Sequence, residues 1–100
     1  MNSIELKKVF ENQKAKWLCK EYHYWIEHFN DIADVIDYEI NIGNREFFVE
    51  VSICELNPNY VHPCLEVYVT KPLSWTFGII PRYGRLSMDW IVYADGRIDA

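Results

Sequence analysis

The stretch Val35-Ile36-Asp37-Tyr38-Glu39-Ile40-Asn41-Ile42-Gly43-Asn44-Arg45-Glu46-Phe47-Phe48-Val49-Glu50-Val51 decides the fold. Ile36, Tyr38, Ile40 and Ile42 alternate with Asp37, Glu39 and Asn41, and a period of two marks a half-buried strand. Gly43-Asn44 is a two-residue hairpin signal, after which the chain returns with Phe47, Val49, Val51 and Ile53 on one face. Phe48, Glu50, Ser52 and Cys54 take the other face. A two-residue loop fixes the register so that opposed residue numbers sum to 87. Ile40 then faces Phe47, Tyr38 faces Val49 and Ile36 faces Val51 on the buried side. On the outward side Asn41 faces Glu46, Glu39 faces Phe48 and Asp37 faces Glu50.

C-terminal to the hairpin, Leu56-Asn57-Pro58-Asn59 reads as a turn. A third strand is expected near Cys64 to Thr70, with Leu65, Val67 and Val69 inward, Glu66 and Tyr68 outward, and Lys71-Pro72 breaking it. Leu73 to Ile80 reads as an edge or bulged strand because Gly78 and Pro81 interrupt it. Arg82-Tyr83-Gly84-Arg85 reads as a loop, and Met88 to Ala94 as a last strand with Trp90 and Val92 on one face, ending at the turn signal Asp95-Gly96.

N-terminal to the hairpin, residues 3–30 hold no Gly or Pro. Asn2 with Glu5 forms a capping-box pattern. Leu6, Val9, Phe10 and Trp17 share one helical stripe, and Leu18, Tyr22, Trp25 and Phe29 share another, offset by roughly 120°. This offset predicts a break near Glu11-Asn12-Gln13, giving a short first helix and a longer second one. The pattern is α+β, with N-terminal helices packed on one face of a four- to five-stranded antiparallel sheet. One domain is expected over residues 1–100, helical at about 3–30 and sheet at about 35–98.

Charge is unevenly placed within a net −5. Residues 1–20 carry five Lys against Glu5 and Glu11, whereas residues 21–55 carry nine acids against Arg45 alone. On the outward hairpin face Asp37 and Glu50 are like charges directly opposite, an arrangement that weakens an isolated sheet. Acids there serve solubility in the simplest reading. The competing reading is a surface built for a basic partner, with Asp37, Glu39, Glu46, Glu50 and Glu66 supplying charge and Phe48 and Tyr68 acting as desolvated anchors.

Chemistry is sparse. The three cysteines, Cys19, Cys54 and Cys64, are an odd number in a chain whose N-terminus lacks an apolar signal segment, so reduced thiols in the cytoplasm are expected. No apolar run approaches the roughly 20 residues of a membrane span. Cys19 and His23 have a spacing that two metal ligands can use, but no C-x-x-C accompanies them, and neither metal nor cofactor is expected. His62 and Cys64 lie two apart with Pro63 between them and lack an evident orienting group for nucleophilic catalysis. Phosphate loops and hydrolase motifs are missing, and no enzyme activity is expected. The acidic balance disfavours direct nucleic-acid binding, although Trp75 to Arg85 is basic and aromatic.

Acidic, aromatic-rich α+β domains of this size without a catalytic motif resemble the immunity proteins of bacterial toxin systems, including contact-dependent growth inhibition. The acidic hairpin from Asp37 to Glu50 carries the resemblance, with the aromatic stretches Trp17 to Phe29 and Trp75 to Trp90. It implies a cytoplasmic inhibitor that binds a cognate toxin domain, often a basic nuclease, and covers its active site. The rival expectation is a small regulatory or ligand-binding domain with a pocket between helix and sheet. A melting shift with a metabolite would favour that rival; a response to a protein partner alone would favour immunity.

Overall fold

A computed structural model describes residues 3–29, 33–70, 74–76, 80–82 and 84–100. The expected Asn2 cap and the Lys71-Pro72 break lie outside the described residues, as do Gly78 and Tyr83. The first helix, α1 (Ser3–Leu18), runs through Glu11-Asn12-Gln13 without the expected break. These residues tolerate helix, and Gln13 has a partner across the interface: its Oε1 accepts a hydrogen bond from the Tyr38 hydroxyl. The chain turns instead where the two apolar stripes meet, so the second helix, α2 (Tyr22–His28), is the shorter one. Lys20 N–H bonds the Trp17 carbonyl at 3.2 Å and closes α1; Tyr24 N–H bonds the Glu21 carbonyl at 3.0 Å and starts α2. Leu6, Val9, Phe10 and Trp17 are buried from α1, Trp25 from α2, and Phe29 just beyond it.

The hairpin forms with the register read from the sequence. β1 (Val35–Ile42) and β2 (Arg45–Leu56) pair antiparallel from Ile42 opposite Arg45 to Val35 opposite Ser52. Gly43 at φ +60° supplies the left-handed residue that the tight turn requires.

β3 (Tyr60–Tyr68) starts four residues before the expected Cys64. Asn57 sets that start, because its side-chain oxygen accepts from the amides of Asn59 at 2.9 Å and Tyr60 at 3.0 Å, closing the turn early. Pro63 is tolerated in a central strand because the β2 register shifts between Ile53 and Glu55 beside it, leaving Cys54 as the extra, bulged residue.

On the other side of β3 lie β6 (Arg85–Asp89) and β7 (Ile91–Tyr93), the two halves of the expected last strand. They part at Trp90, which is buried while its amide bonds the Pro63 carbonyl at 3.2 Å. β6 starts at Arg85, so the expected loop there is partly strand. After the turn at Gly96 (φ +99°), β8 (Ile98–Asp99) pairs with β7 and was not foreseen. Among the described residues the main sheet therefore has six strands, in the order β1-β2-β3-β7-β8 with β6 also on β3. The region expected as one edge strand forms a separate ribbon of β4 (Ser74–Thr76) and β5 (Ile80–Arg82).

The helices cover one face of the sheet, making the chain α+β. Phe47, Val49, Val51, Ile53, Leu65 and Val67 meet Trp25, Phe29 and Trp90 there. Each such side chain contributes roughly 1.5–3 kcal/mol on burial, enough for the inward face alone to hold the register. The Tyr38 hydroxyl also accepts from Trp17 Nε1 at 2.9 Å, tying β1 to α1.

Candidate partner-binding face

With Phe47, Val49 and Val51 inward, strand alternation sends the intervening residues to the face away from the helices. The registers of β1, β2, β3 and β6 align these residues in rows across four strands. One row runs Asp37, Glu50, Glu66, Ser87; the next runs Glu39, Phe48, Tyr68, Arg85. Glu46 stands opposite Asn41 at the hairpin end. All seven residues singled out from the sequence therefore share one face. Asp37, Glu39 and Glu46 are exposed, and Phe48, Glu50, Glu66 and Tyr68 are half-buried.

Three carboxylates in register would relax readily if bases stood between them. Among the described residues none stands between them, and one base lies at the end of the row: Arg85 Nε is 3.6 Å from Glu66 Oε1. The same guanidinium sits 5.3 Å from the centre of the Tyr68 ring, and Phe48 stacks on that ring at 5.6 Å. Phe48, Tyr68 and Arg85 thus form a shelf beside the carboxylate row. A shallow depression of about 260 Å³ opens there, bordered by Asp37, Tyr38, Glu39, Phe48, Val49 and Tyr68. A second, of about 290 Å³, reaches from Glu50 and Glu66 to Ser87 and Asp89. Sequence reading missed Arg85 because it placed the residue in a loop. Extending the last strand back by parity from Trp90 would have put residues 85, 87 and 89 on this face.

The far end of the face corrects the expectation for the thiols. Cys54 and Cys64 form a disulfide, with their Cα atoms 6.8 Å apart. Both residues fall on the outward face, and the bulge at Cys54 brings its sulfur to its neighbour on β3. Cys19 is free and exposed, and its thiol donates to the Lys16 carbonyl at 3.0 Å. Beside the disulfide, His62 Nε2 donates to Asp89 Oδ2 at 2.7 Å. Asp89 is the orienting group that sequence reading did not find for His62, yet the Cys64 sulfur is held in the bridge and offers no thiolate. Tyr60 donates to Glu55 Oε1 at 2.8 Å, and this bond, with burial, raises the phenol above its usual range.

Among the described residues, no group of three or more His, Cys, Asp or Glu is placed to hold a metal ion, and no helix is long and apolar enough to cross a membrane. Comparison with protein families, with characterised proteins and with solved structures finds no match.

Proposed function

We propose that this chain is an immunity protein that binds a cognate, basic toxin domain, such as a nuclease, and covers its active site with the outward face of the sheet. The observation that carries the reading is the row Asp37, Glu50, Glu66, three carboxylates in consecutive register with, among the described residues, a base beside only the last. Folding alone favours Thr or Lys at such cross-strand positions, so the row is held at some cost to the sheet. A basic groove built for phosphate would meet these carboxylates as phosphate mimics, and Phe48 and Tyr68 would add apolar anchors.

The reading places the chain in the cytoplasm beside its toxin. The Cys54–Cys64 bond counts against that compartment, since cytosolic reductants keep most thiols reduced. The rival, a ligand pocket between helix and sheet, has one place to stand: a depression of about 230 Å³ where Tyr22 and His23 of α2 meet Val92, Tyr93 and Ile98 of β7 and β8, while Trp17, Trp25, Phe29 and Trp90 pack the core beside it.

The test is capture with the tagged full-length chain at low and high salt, followed by growth of cells expressing the captured protein with and without this chain. A basic toxin released by salt, whose killing this chain suppresses, is the expected result. A partner that stays bound at high salt would move the interface to apolar surface, and a captured protein whose toxicity this chain leaves unchanged would overturn the reading.

A further inference from the structure

β1 closes one side of the sheet and, among the described residues, pairs only with β2. The ladder geometry says which of its groups are unused. With Ile42 and Arg45 flanking a two-residue turn, the hydrogen-bonded positions of β1 are Ile42, Ile40, Tyr38 and Ile36. The backbone N–H and C=O groups of Val35, Asp37, Glu39 and Asn41 therefore point off the sheet, a donor and an acceptor at every second residue along an eight-residue strand. Val35 and Ile42, at the two ends of β1, are each 47% exposed.

We propose that this edge takes up an extended basic segment of the partner as an additional strand. The inference rests on the immunity reading and adds the mode of docking. Charge selects the occupant. On the outward side Asp37 and Glu39 are exposed and flank the free backbone groups, so a Lys or Arg opposite either one pairs with it and reaches the Phe48–Tyr68 shelf. On the inner side the Lys16 amino group sits 4.9 Å from the Tyr38 ring centre and repels a second base. Ile36 and Ile40, half-buried there, favour apolar neighbours. The fitting segment alternates basic and apolar residues. A second copy of this chain does not fit: the two centred antiparallel registers of β1 on itself set Asp37 against Glu39, or Glu39 against Glu39.

The test uses the full chain, isotope-labelled, and two synthetic peptides of alternating arginine and valine. One is unmodified; the other is N-methylated at the amides that would face β1, which keeps its charge but removes its ladder donors. The unmodified peptide should slow amide exchange at Asp37, Glu39 and Asn41, and N-methylation should weaken binding about tenfold or more. Equal binding of both peptides, with spectral changes confined to Phe48, Glu50, Glu66 and Tyr68, would overturn edge docking and leave the acidic face standing. Unchanged exchange along β1 at saturating or millimolar unmodified peptide would also overturn it. Failure of the acidic face itself is read separately, from toxin binding by a variant with Asp37 and Glu50 reversed to Lys.

Discussion

Glu50 has a carboxylate on either side of it in register, Asp37 on β1 and Glu66 on β3. Removing the middle charge should relieve both repulsions. Glu50→Thr is expected to stabilise the fold by about 0.2–1 kcal/mol, read as a higher urea midpoint with an unchanged slope. A lower midpoint would mean that Glu50 has a stabilising role the register does not reveal. Tyr38 is the opposite case, a polar group the fold depends on. Its hydroxyl accepts from Trp17 Nε1 and donates to Gln13, so Tyr38→Phe leaves the indole N–H of a buried Trp without an acceptor. The expected loss is about 1–3 kcal/mol in the same measurement. The carboxylates and aromatics of the face were legible residue by residue, since alternation alone sorts them. Arg85 was not, because its side depends on where β6 begins, and a short strand between loop residues gives little periodic signal.

Elements with a strict period and a tight turn were readable; those limited by side-chain chemistry were not. The β1–β2 register follows from parity and Gly43-Asn44, and every pair occurs as expected. The helix break did not follow, because an offset between two stripes says that the chain must turn but not where. The start of β3 was hidden by Pro63, which argues against a central strand until the bulge at Cys54 is known. The same bulge brings Cys54 to Cys64, and the bridge should show as a mass increase of about two daltons on reduction, with about 2–3 kcal/mol of stability lost for a loop of this length. A Cys64→Ser variant as stable as the parent under non-reducing conditions would contradict a stabilising bridge. The turn into β8 carries a pH dependence. Asp95 accepts from the Arg97 backbone amide at 3.1 Å and pairs with its guanidinium at 2.9 Å, and these contacts hold its carboxyl below the usual range. A lowered folded pKa adds stability that is present above the unfolded value and lost as pH falls through the folded one. The parent should therefore lose stability relative to Asp95→Asn on acidification below the ordinary carboxylate range, and parallel acid profiles would contradict this.

At the scale of the molecule, charge is uneven between the faces. The helical side exposes Lys7, Lys8 and Lys16 alongside Glu11, Glu21 and Glu27, while the opposite face of the sheet presents Asp37, Glu39 and Glu46 against Arg85. Such an imbalance orients the chain in the field of a basic partner before contact, so association should slow about tenfold or more between low and high salt. The measurement that tests the central claim most directly is titration of the captured toxin domain with the parent and with the Asp37→Lys, Glu50→Lys double variant, each first shown to be folded by its melting curve. The account predicts binding weakened on the order of a hundredfold in a variant that melts no lower than the parent. An unchanged Kd in that folded variant would contradict it and remove the outward sheet face as the site of neutralisation.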